Sequence, residues 1–384
     1  MKKPLALLAV VTLAFAARPA LAAKPDDGIP TEAFKDSAQH WYNVNPDGAD
    51  RVIHPLPGRP VYKKSQVREI AENILLFQRA NGLWPKNYDM LAILTPEQVA
   101  TVKATRKNDD TTSDNHNTHS QIVYLSRAYT LLHDERYRAA AQRGFDAVLK
   151  VQLPSGGFPH SWPNMAGYRG LITYNDGNTI GMLSLMRDVA GVRPGFEWFS
   201  DDSRAKAAAA LAKGIECILA TQYTNKKGEL QGWGQQHDPK TLQPAKARKY
   251  ELPSLCPVDT SEIAQFLMGI ENPDARVIRS INAACAWLDK VRIKGIRVED
   301  FKAPTKHGHD KRVVNDPTAP DIWTRYYELE TDRPMFATLK SEVIYDFAKV
   351  DEERRTGYGW FTNAPKSILA RDYPAWLKKN GLSK

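Results

Sequence analysis

The sequence predicts an all-α fold, an (α/α) toroid of about three helical hairpins in a single domain. Three observations carry this expectation. A helix ending in glutamine, then a polar turn, then an aromatic residue recurs: Gln78 to Trp84-Pro85, Gln152 to Phe158-Pro159, and Gln222 through a longer loop to Gly232-Trp233. The three glutamines stand roughly seventy residues apart, room for two ordinary helices and their loops. Apolar residues keep helical spacing inside the units, with Ile70, Ile74 and Phe77 on one face and Ile122, Leu125, Ala128 and Leu132 on another. Strand-length alternation is scarce, and no two strand patterns flank a hairpin turn. Hairpins of this period bury their apolar faces by stacking side by side, and closing the stack would gather the Gly-aromatic-Pro turns at one end, where a binding groove belongs.

The segments follow in order. Lys2 and Lys3, an apolar run from Leu5 to Ala17 and the small-residue pattern Ala20-Leu21-Ala22 make residues 1–22 a secretory signal peptide, with export to the periplasm or beyond. That run is too short and too asymmetrically flanked for a membrane span, and no later segment approaches ~18 uninterrupted apolar residues. Residues 23–60, rich in Pro, Asp and Gly, read as an extended lead-in over the surface, and residues 61–384 as the toroid. The whole chain of 384 residues carries a formal charge of +9. Only Lys2, Lys3 and Arg18 of that excess lie in the leader, so the mature chain stays basic and suits an acidic partner. Export argues against nucleic acid as that partner, and a monomer is expected. Cys217, Cys256 and Cys285 show no metal-ligand spacing; three buried thiols, or one disulfide with one free thiol, both fit.

The chemistry falls in turns. Trp84 between Leu83 and Pro85 offers a flat apolar face on which a sugar ring could stack, with the Lys86 cation beside it; a turn whose tryptophan fills the core reads equally well. Asp114-Asn115 and Asp176 each stand just before a helical pattern, where N-capping is the ordinary role of Asp and Asn. Their similar placement in adjacent repeats lifts them above that role. It brings three hard oxygen donors to one end of the stack, a set that suits Ca²⁺ yet falls short of the 6–8 oxygens that ion prefers. Arg248 lies among Lys246 and Lys249, while Arg325 and Arg333 lie among prolines and aromatics. Forked guanidinium donors there could grip carboxylates, or pair internally with Glu328, Asp332 or Glu353.

Taken in order, seven motifs resemble polysaccharide lyase family 10, the pectate lyases. They are Asn-Gly-x-Trp-Pro-Lys at 81–86, Asp-Asn-x-x-Thr at 114–118, Gly-Gly-Phe-Pro at 156–159, Ile-Thr-Tyr-Asn-Asp at 172–176, Gln-His-Asp at 236–238, Ala-Arg-x-Tyr-Glu-Leu-Pro-Ser at 247–254, and Trp-x-Arg-Tyr-Tyr-Glu with Asp-Arg-Pro at 323–334. The resemblance spans about Val61 to Leu377. It implies an (α/α) toroid and calcium-assisted β-elimination on polygalacturonate, giving 4,5-unsaturated oligogalacturonates. By position it makes Asp114, Asn115 and Asp176 the metal ligands, Arg248 the catalytic residue, and Arg325 and Arg333 substrate-holding arginines. Two departures stand out, Leu83 where a second glycine is common and the bulky pair His116-Asn117. An arginine acting as base is chemically demanding, since its ordinary pKa lies above ~12. The competing readings are a glycoside hydrolase of acidic polysaccharide using Asp114 and Asp176 as its two carboxylates, a terpene or prenyl enzyme, which would want a more apolar cavity, and a non-catalytic uronan-binding protein.

Overall fold

Capped starts and glutamine ends delimit the helices of this protein, whose computed structural model describes residues 14–15, 28–43, 53–54, 58–305 and 308–382. The helices are α1 (Lys35–Asn43), α2 (Val67–Phe77), α3 (Pro96–Ala104), α4 (His119–Leu132), α5 (Glu135–Val151), α6 (Asn178–Ala190), α7 (Asp201–Thr221), α8 (Pro257–Met268) and α9 (Ala275–Lys290). Thr95 and Gln98 form a reciprocal capping box on α3, while Asp134, Ser200 and Asp274 cap α5, α7 and α9 with their side-chain oxygens. Helices α4 and α5, α6 and α7, and α8 and α9 pack as antiparallel hairpins. Their neighbours define two rows, α4, α6 and α8 in one and α2, α5, α7 and α9 in the other.

The recurring glutamine is the joint between units. Gln78 donates from Nε2 to Gly82 O in its own turn and to Ala140 O of α5, both at 2.9 Å. Gln152 repeats the pattern on Gly156 O and Ala210 O of α7, and Gln222 on Gln231 O and Ser280 O of α9. Each side chain therefore closes one turn and hooks it to the next helix of the second row. The turns also press backbone on backbone. A Cβ at Gly82 (φ +92°) would sit 2.7 Å from Arg143 O, and one at Gly156 (φ +99°) 2.2 Å from Lys213 O. One continuous core fills the space between the rows, with Ile70, Ile122, Phe145, Leu183, Ile218 and Ile281 among its fully buried members.

The all-α toroid expected from the sequence is corrected by the strands: the chain is 46% helical and 13% strand, a mixed helix-and-strand fold. Two-residue strands β1 (Ile172–Thr173) and β2 (Gln236–His237) pair antiparallel. Isolated bridges Pro85↔Thr111, Thr112↔Ser161 and Pro159↔Ile172 continue the same belt across the turns. A seven-residue hairpin, β3 (Ile296–Lys302) with β4 (His309–Asn315), follows α9. Beyond it β5 (Trp323–Thr324) pairs with β9 (Phe361–Thr362), and β6 (Tyr326–Tyr327), β7 (Pro334–Ala337) and β8 (Val343–Ile344) form a three-stranded sheet. This last part has its own small core around Tyr326, Phe336, Phe347 and Trp360. A helical run over 365–379 returns to α8 and α9, burying Ile368, Trp376 and Leu377.

Within the segment read as an extended lead-in, α1 is helical and Trp41 is buried in the main core. Of the expected signal peptide only residues 14–15 are described, as a short strand against Ile270–Glu271; its cleavage site lies outside the described residues. All three cysteines are free and buried. Among the described residues no helix is long and apolar enough to cross a membrane.

Candidate active site

A cavity of about 240 Å³ opens at the end of the stack where α4 and α6 begin, and the repeat sets its lining. Lys86 follows Trp84-Pro85, His160 follows Phe158-Pro159 and Gln235 follows Trp233-Gly234, so the residue two places after each turn aromatic reaches the cavity. The aromatics themselves point the other way. Trp84 is fully buried, donating its indole N–H to Ile74 O at 2.7 Å, and Trp233 does the same to Ile218 O at 2.8 Å. A Trp84 without accessible surface presents no face to a sugar ring, so the stacking platform read from the sequence is a core side chain that anchors the turn.

Asp114, Asn115 and Asp176 all line the cavity. Neither aspartate caps the helix it precedes: the N-cap positions belong to Thr118 and Gly177, without a side-chain cap bond in either case. The two loops are instead fastened to each other, His116 N donating to Asp176 O at 3.0 Å. Asn115, His116, Thr118 and Asp176 all hold positive φ between 54° and 69°, a strained arrangement for non-glycine residues. It aims both carboxyls at the same space. Among the described residues no group of three His, Cys, Asp or Glu stands together as a metal cluster, so any ion would rest on two carboxylates and amide oxygens.

The two acids are electrostatically unlike. Burial alone would push Asp114 up, but the Lys86 ammonium bonded to its Oδ2 and His160 Nε2, 3.2 Å away, together hold it well below the usual carboxylate range. Asp176 is driven well above that range, first by burial and then by the charge of Asp114 beside it. Asp114 Oδ1 is buried with no hydrogen-bond donor other than a protonated Asp176. A carboxylate oxygen facing a second carboxyl that resists ionisation is a place where added positive charge would be welcome, and the donors are the hard oxygens a divalent cation such as Ca²⁺ takes.

Across the cavity Arg248 is half-exposed, its side chain 45% accessible, and ion-paired to the buried Glu251. Burial works to lower its pKa, but the Glu251 carboxylate outweighs that and raises it. Glu251 Oε1 also accepts from Gln235 Nε2 and from the Tyr358 hydroxyl, each at 3.2 Å. Tyr326 closes the network, donating to Gln235 Oε1 at 2.6 Å with its oxygen 2.7 Å from that of Tyr358. Arg325 stands behind this wall, donating to Asn175 Oδ1 at 3.0 Å with its guanidinium 4.8 Å from the centre of the Tyr358 ring. It thus braces two lining residues, Asn175 and Gln235. Arg333 is not brought to the cavity; it is exposed and stacks on Tyr345 at 3.5 Å. Lining residues to which the sequence reading gave no role include His40, Asn87, His160, Tyr168 and Glu251. His160 was findable from its register with Lys86, whereas His40 arrives on α1, outside the repeats, with no sequence signal.

Fold and site together define a carbohydrate-active enzyme on stacked helical hairpins, with an acidic pair facing an arginine. The model of the family described as pectic acid lyase matches residues 78–369, and the chain belongs to that family, the pectate lyases of polysaccharide lyase family 10. It is a lyase. Two solved structures are similar to it: the family 10 polysaccharide lyase from Cellvibrio cellulosa and an aspartate-to-alanine mutant of that lyase in complex with trigalacturonic acid. Each has a TM-score of 0.71 at 28% identity over 82% of this chain, covering 93% of the mutant chain and 92% of the other. A search of curated proteins finds no match.

Proposed function

We propose that this pectate lyase is exported and cleaves polygalacturonate by β-elimination at the 240 Å³ cavity, with Asp114, Asn115 and Asp176 as the calcium site. The observation that carries the reading is the meeting of a buried carboxyl, Asp114, and a part-buried one, Asp176, from neighbouring repeats opposite a guanidinium. Calcium, when bound there together with a galacturonate carboxylate, supplies the charge that disperses the anion developing alpha to that carboxylate.

The chain's own residues do the rest. Lys86 and His160 keep Asp114 ionised and ready to ligate. Arg248 stands across the cavity from the acids, where its half-exposed guanidinium can reach a bound uronate. As the C5–H proton leaves to a base, its electron pair forms the C4=C5 bond, the C4–O bond breaks, and the departing oxygen takes a proton from water. In the resting site Glu251 favours protonated Arg248, and a substrate carboxylate in its place would do the same, so proton removal by that arginine requires the ion pair to open with no second carboxylate replacing it.

The test is direct. Purified protein incubated with polygalacturonate at alkaline pH should release ultraviolet-absorbing unsaturated product with added calcium and stop on chelation. Reducing ends appearing without that absorbance would mean hydrolysis; binding without product would mean a carbohydrate-binding protein.

A further inference from the structure

A second cavity, of about 710 Å³, lies at the opposite end of the helices from the acids. Arg127 on α4, Arg187 in the last turn of α6, and Met268 with Gly269 at the end of α8 form one side. Arg193 comes from the loop after α6, and Arg371, Trp376 and Lys379 from the C-terminal run. Five cations therefore meet two carboxylates there, those of Asp188 and Asp372.

Helix C-termini attract cations by themselves, and three helices end near this space. Their partial charges, about −0.5 each, offset only about half of the net positive charge of the lining. The side chains of Arg127 and Lys379 make no hydrogen bond or close ion pair among the described residues, although the Arg127 charge acts on Asp188 across the cavity. A second observation is independent of charge: Trp376 is 4% exposed, lines this cavity, and its indole N–H is buried without a partner. A buried donor left unpaired is costly, and guanidinium forks beside it are the chemistry that holds the carboxylates of an acidic sugar.

We propose that this cavity is a second binding site, distinct from the catalytic one, which takes a short oligouronate, the kind of product the lyase reaction releases. Its volume falls in the 300–1,000 Å³ class of small-ligand sites. The identity of the ligand rests on the pectate lyase reading; the existence of an anion site does not.

Calorimetric titration of the Arg248→Ala protein, which should not turn the sugar over, with trigalacturonate separates the two sites. About two equivalents are expected to bind, falling to about one when Arg127→Gln and Lys379→Gln are added, as both cations belong to the distal cavity. In the wild-type background the same pair should leave lyase activity unchanged. Trp376→Phe keeps the ring and removes the N–H, and should weaken the second equivalent by about tenfold while the first stays put. A neutral trisaccharide of galactose should fill neither site. One equivalent in the parent protein, two equivalents surviving the paired substitution in folded protein, or equal uptake of the neutral sugar would each overturn the proposal. Absence of unsaturated product from wild type would defeat the lyase reading instead, with the titration still deciding the cavity.

Discussion

Glu251 decides what Arg248 can do. A buried carboxylate bonded to a guanidinium stabilises its charged form, which is the opposite of what a Brønsted base needs. Glu251→Gln keeps a hydrogen-bonding side chain and removes the charge, so if Arg248 takes the proton, the alkaline rise of kcat should move to lower pH. A profile that stays in place while the rate falls would assign proton removal to hydroxide and leave Arg248 as an electrostatic group. Arg248→Ala itself should lower kcat by about 10²–10⁴-fold, the usual contribution of a positioned proton-transfer group, with trigalacturonate binding largely retained. A drop in binding equal to the drop in rate would make it a substrate anchor. The acids were legible in the sequence because Asp114-Asn115 and Asp176 stand at similar places, in the turns that lead into α4 and α6. Trp84 was not, since Leu-Trp-Pro reads the same whether the ring faces solvent or core; only its bond to Ile74 O settles it. Glu251 was hidden too, being one more acid in a charged loop until Gln235, Tyr358 and Arg248 are seen to converge on it.

Among the elements, the three glutamine joints carry more of the architecture than their polarity suggests. Each amide satisfies one carbonyl in its own turn and one in the adjacent helix, and Gln222 also accepts from Ser280 Oγ at 2.6 Å. Gln222→Ala would remove the amide's bonds to the Gln231 carbonyl and the Ser280 hydroxyl, while the Ser280 carbonyl keeps its helical partner, and should destabilise the protein by about 1–3 kcal/mol in urea unfolding. A loss under about 0.5 kcal/mol, the range of surface changes, would show the joint to be ornamental. This joint was readable from the sequence as a period, because a repeated polar residue at a helix end has few reasons to recur. Helical spacing likewise marked Ile70, Ile74 and Phe77, which are all buried on α2. The strand belt was not readable: bridges such as Thr112↔Ser161 and pairs as short as β1 with β2 have no room for a two-residue alternation to show. The β3–β4 hairpin escaped for a different reason. Its exposed, charge-rich strands, Ile-Arg-Val-Glu-Asp-Phe-Lys and His-Asp-Lys-Arg-Val-Val-Asn, look like solvated loop when no face is deeply buried.

At the scale of the whole molecule, the site is built at the expense of stability, and the two aspartates should reveal this in opposite ways. Asp176 has a folded-state pKa above its unfolded one, so its penalty is complete above that raised value and disappears as the pH falls into the ordinary carboxylate range. Asp114 has the reverse shift: its contribution is complete above the ordinary range and is lost on further acidification through its depressed value. Metal-free protein should therefore gain stability on mild acidification before losing it in strong acid, and Asp176→Asn should raise the metal-free Tm at neutral pH while abolishing activity. Because these loops begin α4 and α6 and are fastened by His116 N to Asp176 O, a cation held there would tie neighbouring repeats together. On the proposed calcium reading, saturation at about 100 times Kd should stabilise the wild type by about 2.7 kcal/mol, seen as a rise in Tm above the titration of Asp176. The same addition should do little to Asp176→Asn. An equal rise in both proteins would place the ion elsewhere and leave the paired carboxyls without a metal to explain them.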